Sequence, residues 1–295
     1  MAAAATATAT PHVGLIVTGA DTLFDFQVFV KTLSIWHPDA QLFVFTDFVT
    51  EPYIKAIKTT LTIHTRSALT KYAGKDRKVM ELLPGTTYKT MWTDFMYEKA
   101  NVLAWMFSTN PALKTQGAWF LDADITFLAP LPVIPSEAVI ALSPHHIRPF
   151  DEARFGKYNG GFLWIKDDGL LDVWRTAGYT ARFYEQSALE TIAAVATEKS
   201  VGNLYEFPIQ VNFGWWRMYQ GLEAPDKIQA KFSINRIDIS VGLRYDGVPL
   251  QSIHTHWHDM ASVTGFFNKW VDTFTQRFAG AHKPLKQWRR QVGME

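Results

Sequence analysis

At 295 residues, 47% of them hydrophobic and 14% aromatic, the chain has ample apolar surface for a large core, in one large α/β domain or two smaller ones. A formal charge of +1 with no long run of one sign argues against a nucleic-acid surface, and the absence of cysteine excludes disulfides, thiolate zinc sites and thiol nucleophiles. Residues 1 to 10 lack the basic start and apolar centre of a signal peptide and read as a short disordered tail; no stretch approaches the roughly 20 apolar residues of a membrane span, so the expectation is a cytoplasmic protein with no transmembrane segment.

In chain order, Val13 to Val17 is a continuous apolar run that ends in Thr18-Gly19-Ala20-Asp21, a buried strand and a tight turn. Phe24 to Trp36 has helical spacing and stops at His37-Pro38, and Gln41 to Thr46 is a second strand closing at Asp47. A short helix over Glu51 to Thr59 and a strand over Leu61 to Thr65 follow. Strand, helix, strand, helix, strand predicts a parallel sheet with right-handed crossovers, whose ligands sit beyond the carboxyl ends of the strands. Thr18, Gly19, Ala20 and Asp47 share that rim.

Residues 66 to 90 read as an irregular, mobile connection, with a basic cluster at Lys71, Lys75, Arg77 and Lys78 that is either a solvated loop or a phosphate site. Met91 to Phe107 is the strongest helix, with Trp92, Phe95, Met96, Ala100, Leu103, Ala104 and Phe107 at three-four spacing and Lys99 among them. Next comes Ala118-Trp119-Phe120-Leu121-Asp122-Ala123-Asp124, an apolar strand running into two acids. Ionised carboxylates are costly in such a strand unless paired or metal-bound. On an extended chain Asp122 and Asp124 share a side, about 7 Å apart, within reach of one cation. The alternative is a strand that ends at Leu121 with a polar turn behind it.

Val139 to Leu142 is a further strand, and the adjacent His145 and His146 point different ways and are not joint ligands. Tyr158-Asn159-Gly160-Gly161 opens the apolar run Phe162 to Ile165; its glycines suit close approach of backbone to a ligand, a bulge or a tight turn. Leu170 to Trp174 starts a helix, and another begins at Tyr184 with Glu185 and Gln186 in its first turn. Leu204 to Val211, Lys231 to Ile239 and Gln251 to His256 read as short strands around Phe213-Gly214-Trp215-Trp216. His254, His256 and His258 alternate and share one face as metal ligands, or form a surface run, or bond to backbone. With no repeat and no linker, residues 11 to 295 read as one domain.

In this order, Asp122-Ala123-Asp124, Tyr158-Asn159-Gly160-Gly161-Phe162, Glu185-Gln186 and His254-Thr255-His256 resemble the glycosyltransferases of the GT-A fold, nearest to the glycogenin-like retaining transferases. The likeness covers most of residues 13 to 284. It implies an α/β fold with a mostly parallel central sheet and a smaller C-terminal mixed sheet. It implies a nucleoside-diphosphate sugar (UDP- or GDP-linked) as donor, a glycan or other hydroxyl as acceptor, and Mn²⁺ or Mg²⁺ held by Asp122, Asp124 and His256 or His254. Lys99 would reach a phosphate, Thr18, Gly19, Ala20 and Asp47 would meet base and ribose, and Asn159, Gly160 and Gly161 would line the sugar side. Glu185 and Gln186 would lie near the anomeric carbon, with a retaining outcome.

The chain departs from that pattern in two places. The family's C-terminal His-x-x-Gly-x-x-Lys-Pro-Trp signature lacks its glycine here, with Lys283-Pro284 far downstream, and Glu185 replaces the more usual Asp. Two other readings compete. Phe120 to Thr126 also fits the D-x-D-x-T motif of haloacid-dehalogenase phosphatases, with Asp122 as nucleophile and Lys166-Asp167-Asp168 as its later partners. A silent sugar-binding module using Trp215 and Trp216 is the other.

Overall fold

The computed structural model describes residues 10–235, 240–259, 261–280 and 282–295, so the expected tail, except for Thr10, and the end of the expected strand Lys231 to Ile239 lie outside the described residues. The strands are β1 (His12–Val17), β2 (Gln41–Thr46), β3 (Thr62–Arg66), β4 (Ala118–Leu121), β5 (Ile125–Phe127), β6 (Ile140–Pro144) and β7 (Tyr158–Ile165) in the first part of the chain. They continue with β8 (Leu204–Glu206), β9 (Phe213–Gly214), β10 (Phe232–Ile234), β11 (Leu243–Tyr245), β12 (Val248–Pro249) and β13 (Ser252–His254). The central sheet runs β3-β2-β1-β4-β7-β6-β8. Its first four strands are parallel, as the alternating pattern predicts, and β7 turns antiparallel between β4 and β6. The carboxyl ends of β1, β2 and β4 therefore form one rim carrying Thr18, Asp47 and Asp122.

Every residue of β1, β4 and β7 is buried, which explains their unbroken apolar runs: helices cover both faces, so no position alternates to solvent. The helix expected over Met91 to Phe107 is two, Met91–Met96 and Glu98–Thr109, interrupted only at Tyr97. Its apolar stripe survives the interruption because Tyr97 keeps helical torsions. The connection 66 to 90 is not irregular throughout. Asp76 caps a helix at Arg77–Leu82 by accepting from the Val79 amide at 2.9 Å, which holds Arg77 toward the rim. No described helix is long and apolar enough to cross a membrane.

Two smaller sheets complete the fold, β10-β11-β12 and β5-β13-β9. In the second, β13 pairs antiparallel with β5 and parallel with β9, setting His254 opposite Ile125 and Gly214. This long-range pairing brings the histidine segment to the acidic one. On the β4 side, Gly117 has φ +79°, and a Cβ there would stand 2.0 Å from the Trp164 ring. Gly117→Ala is expected to cost about 2–4 kcal/mol from left-handed strain and overpacking together. Urea unfolding measures it, and a loss within error of zero would show that the ring moves aside freely.

Candidate metal and donor site

Phe120 and Leu121, fully buried, anchor the point where β4 leaves the sheet. The Asp122 amide still donates to Gly161 O at 2.8 Å, and the chain then turns, with the Ile125 amide 3.4 Å from Asp122 O. Asp122 and Asp124 thus sit on a turn between β4 and β5, not on an extended strand. The turn, rather than the pleat, converges their carboxylates.

His254 completes the cluster. Its Nε2 is 3.0 Å from Asp124 Oδ1 and 3.9 Å from Asp122 Oδ2, and its Nδ1 is 3.2 Å from Asn212 Oδ1. Asn212 is fully buried, and its Nδ2 donates to Ser143 Oγ and Asn159 Oδ1, so its oxygen is left to accept. The proton of a neutral His254 therefore resides on Nδ1, and the Nε2 lone pair faces two carboxylates. A neutral His254 held this way offers Nε2 to the same point as the two carboxylates. The donor atoms of Asp122, Asp124 and His254 lie within 4.8 Å of one another, a set that fits a divalent ion such as Mn²⁺ or Mg²⁺.

The three histidines do not share one face, because β13 ends at His254 and the following turn fans the others outward. His256 Nδ1 lies 2.8 Å from Asp25 Oδ2, with its Nε2 3.4 Å from Asp124 Oδ2, and His258 Nδ1 is 3.3 Å from the same Asp25 oxygen. Asp25, on the helix Ala20–Trp36, is buried, and burial pushes its carboxyl up while the His256 hydrogen bond opposes the rise. Burial would lower His256, but Asp124 and Asp25 outweigh it and push the imidazole up to about 9.

Behind the acids lies a buried ion cluster. Lys99, 2% exposed, places Nζ 2.9 Å from Glu185 Oε1, 3.2 Å from Asp122 Oδ1 and 3.1 Å from Gly160 O. Three hydrogens meet three acceptors, so this ammonium is committed to the protein rather than to a phosphate. Burial would lower Lys99, yet the two carboxylates hold it above its usual range; burial raises Glu185 despite Lys99. Glu185 and Gln186 lie in a turn ahead of the helix Leu189–Lys199, not in its first turn, after Tyr184 at φ +43°. That turn lets Gln186 Oε1 accept from the Gly160 amide at 3.1 Å while its Nε2 donates to Phe155 O.

The paired glycines have a steric reason. A Cβ on Gly161 would stand 2.1 Å from Asp122 Oδ2 and 2.7 Å from His254 Cε1, and one on Gly160 would stand 2.6 Å from Glu185 Oε1. Both lie within β7, beside the register shift at Leu142/Ser143, and admit protein side chains.

A cavity of about 360 Å³ opens on this cluster, lined by Thr18, Trp92, Lys99, Asp122, Asp124 and His256. A second, of about 500 Å³, is lined by Asn159, Tyr184, Gln186, Trp215 and Trp216, and Arg77 lines both. Arg77 lies 5.2 Å over the Trp92 ring and pairs with Glu81. Gly19 caps the helix Ala20–Trp36 at φ +82°, and its amide donates to Thr50 Oγ1. Both oxygens of the buried Asp47 are engaged, by Thr18, Val49 and Thr50, so it holds the rim together. A larger cavity of about 550 Å³, between His12, His37, Trp119 and Trp164, lies at the amino ends of the strands and has no carboxylate in its wall. Asp25 and Asn212 were missed as site residues by sequence, whereas Arg77 belongs to the basic cluster left open there as a phosphate site. Asp25 alone left a signal there, an acid inside the apolar stripe of a helix.

Two outcomes follow for the protein alone. Lys99→Met leaves the buried Glu185 and the partly exposed Asp122 uncompensated and is expected to cost about 3–5 kcal/mol, with Lys99→Met/Glu185→Gln recovering about 1–3 kcal/mol of it; strictly additive losses in urea unfolding would refute the coupling. With EDTA present, the raised His256 contributes stability that is complete below its ordinary 6.5 and is lost as pH rises through about 9. The melting temperature should fall across that window in the wild type and stay flatter in His256→Gln, the size being modest because the ring is half-exposed. An equal fall in both proteins contradicts the assignment.

No family model and no curated protein sequence matches the chain. Among solved structures it is similar to mouse xyloside xylosyltransferase 1 in its apo form, with TM-score 0.50 and 12% identity over 83% of this chain and 97% of that one. It is also similar to the galactosyltransferase LgtC in complex with donor and acceptor sugar analogues, with TM-score 0.51 and 14% identity over 95% of this chain and 99% of that one. Strand order, the acid-bearing turn after β4 and these likenesses agree: the chain has the GT-A glycosyltransferase fold.

Proposed function

We propose that the chain is a metal-dependent glycosyltransferase that moves a sugar from a nucleoside-diphosphate sugar to a glycan or other hydroxyl acceptor, on one domain spanning residues 11 to 295. The observation that carries this is the convergence of Asp122, Asp124 and His254 Nε2, the last aimed by Asn212, at the mouth of a cavity on the strand-end rim. A bound Mn²⁺ or Mg²⁺ would offset the charge that develops on a departing diphosphate. Its ligands would be Asp122, Asp124 and His254, with His256, held by Asp25, at the open side.

The protein's own groups divide the remaining work. Thr18, which lines the cavity, with Gly19 and Ala20 beside it, would meet base and ribose, Asp47 shaping that wall through Thr18. Arg77 is the cation that lines the cavity and remains exposed, so the phosphate contact expected of Lys99 is better given to Arg77. Asn159, Gly160 and Gly161 form the strand between the two cavities, and Gln186 faces the second one, toward a sugar. Glu185 lines neither cavity and acts through Lys99, which positions Asp122. We retain the retaining outcome of the family resemblance as part of this proposal.

The phosphatase alternative needs Lys166, Asp167 and Asp168 beside Asp122. Instead Lys166 donates to Ser136 O, Asp168 pairs with Lys114 and Asp167 with Lys199.

The direct test is thermal shift with Mn²⁺ and a panel of nucleoside diphosphates. At a nucleotide concentration 100 times Kd, binding is worth about 2.7 kcal/mol, a rise of about 4 °C. Asp124→Asn should abolish the metal-dependent part. Absence of a saturable shift with every nucleotide, metal present, refutes the proposal; a shift without slow sugar-nucleotide hydrolysis points to the silent binding module.

A further inference from the structure

Beside the Asp122 cluster a second set of ligand atoms converges on a different carboxylate. Asp25 lies in the second turn of the helix Ala20–Trp36 and is 1% exposed. Its Oδ1 accepts from the Trp257 amide at 3.2 Å, which fixes the carboxylate and turns Oδ2 toward the chain after β13. There His256 Nδ1 stands 2.8 Å and His258 Nδ1 3.3 Å from that one oxygen. A hydrogen-bonded acid–imidazole pair needs a single ring, yet here two rings present the same nitrogen to the same oxygen. The three residues each offer a ligand atom within 4.8 Å of the others. Around a four-coordinate Zn²⁺, bonds of about 2.0–2.1 Å separate neighbouring ligand atoms by roughly 3.3 Å, close to both nitrogen–oxygen distances here.

The far side of each ring also has an acid near it. His256 Nε2 is 3.4 Å from Asp124 Oδ2, and His258 Nε2 is 3.9 Å from an oxygen of Asp21, one helical turn before Asp25. A ligating imidazole binds through one nitrogen and commonly turns its other N–H to a carboxylate, which fixes tautomer and orientation. The rings are open to solvent: the His256 side chain is 49% exposed and that of His258 30%, and Asp25 and His256 both line the 360 Å³ cavity. An ion can therefore enter from the ring side and take the place of the proton shared by His256 and Asp25.

We propose that Asp25, His256 and His258 form a second metal site, which takes Zn²⁺ in preference to Mg²⁺ through Asp25 Oδ2 and the two Nδ1 atoms, with solvent completing the coordination. Two imidazoles and one carboxylate suit a borderline transition ion, whereas Mg²⁺ favours oxygen. The site is distinct from the set of Asp122, Asp124 and His254 and does not rest on the function proposed above. It uses the Nδ1 side of His256 and leaves Nε2 toward Asp124. Its effect is that of a clip, because Asp25 and His256 stand 231 positions apart in the chain and the ion ties the helix Ala20–Trp36 to the turn after β13. The clip holds His256 in the cavity wall.

The test uses the full chain as His254→Gln, which removes the imidazole of the other cluster, stripped of metal with EDTA and dialysed free of chelator. Zn²⁺ is titrated by calorimetry in excess Mg²⁺, which competes for sites made of carboxylates alone. One Zn²⁺ per chain should bind saturably, with affinity reduced about tenfold or more when His258→Gln or Asp25→Asn is added. Zn²⁺ should also raise the melting temperature of the parent more than that of the His258→Gln variant. Asp25 is buried and its replacement can disturb folding; His258 is partly exposed, so His258→Gln carries the test, with circular dichroism confirming its fold. Absence of saturable Zn²⁺ binding, its suppression by Mg²⁺, or equal affinity or equal thermal shift in the parent and His258→Gln each overturns the site.

Discussion

The ammonium of Lys99 is the interaction on which the candidate site depends. A lysine at 2% exposure persists only if its charge is matched, and here Asp122 and Glu185 match it from two unrelated segments of chain. The consequence is geometric before it is electrostatic. Asp122 is tied from below by Lys99 and from its own amide by Gly161 O, so one of its oxygens can face the cavity without the carboxylate rotating away. Glu185 is buried for the same reason, and the turn that carries it delivers Gln186 to the second cavity.

Glycine at 160 and 161 is the steric complement of that charge cluster. Neither has a positive φ, so neither is needed for its backbone freedom. They are needed because β7 runs between Glu185 on one side and Asp122 with His254 on the other, closer than any Cβ permits. Strand, ion cluster and imidazole therefore form one packed unit. Asn212 extends it by joining Asn159 to His254, so the orientation of the imidazole is linked to the strand that separates the two cavities.

The parallel half of the fold was legible because its signals are local: unbroken apolar runs for strands buried on both faces, helical spacing between them, and Asp122-Ala123-Asp124 at a strand end. Convergence of the two acids was legible for a partly wrong reason, since a turn performs what alternation was expected to perform. What could not be read depends on contacts between distant segments. The pairing of β13 with β5 and β9 involves strands of two or three residues, too short for any period, and it sets His254 against the acids, after which His256 lies between Asp25 and Asp124 and His258 lies by Asp25. Lys99 stood in the right helix, but whether a lysine points to solvent, a phosphate or a buried carboxylate depends on Glu185, 86 positions later (185 minus 99).

Lys99 and Arg217 make the same point from opposite sides. Both are cations enclosed by this fold, and the energy of enclosing a charge is large enough that each must be compensated by something. For Lys99 the compensation is internal, which makes it a fixed part of the scaffold. For Arg217 the hydrogen-bond acceptor among the described residues is Pro144 O, with no carboxylate in ion-pair range. A buried charge satisfied by its own chain, as at Lys99, holds a structure together.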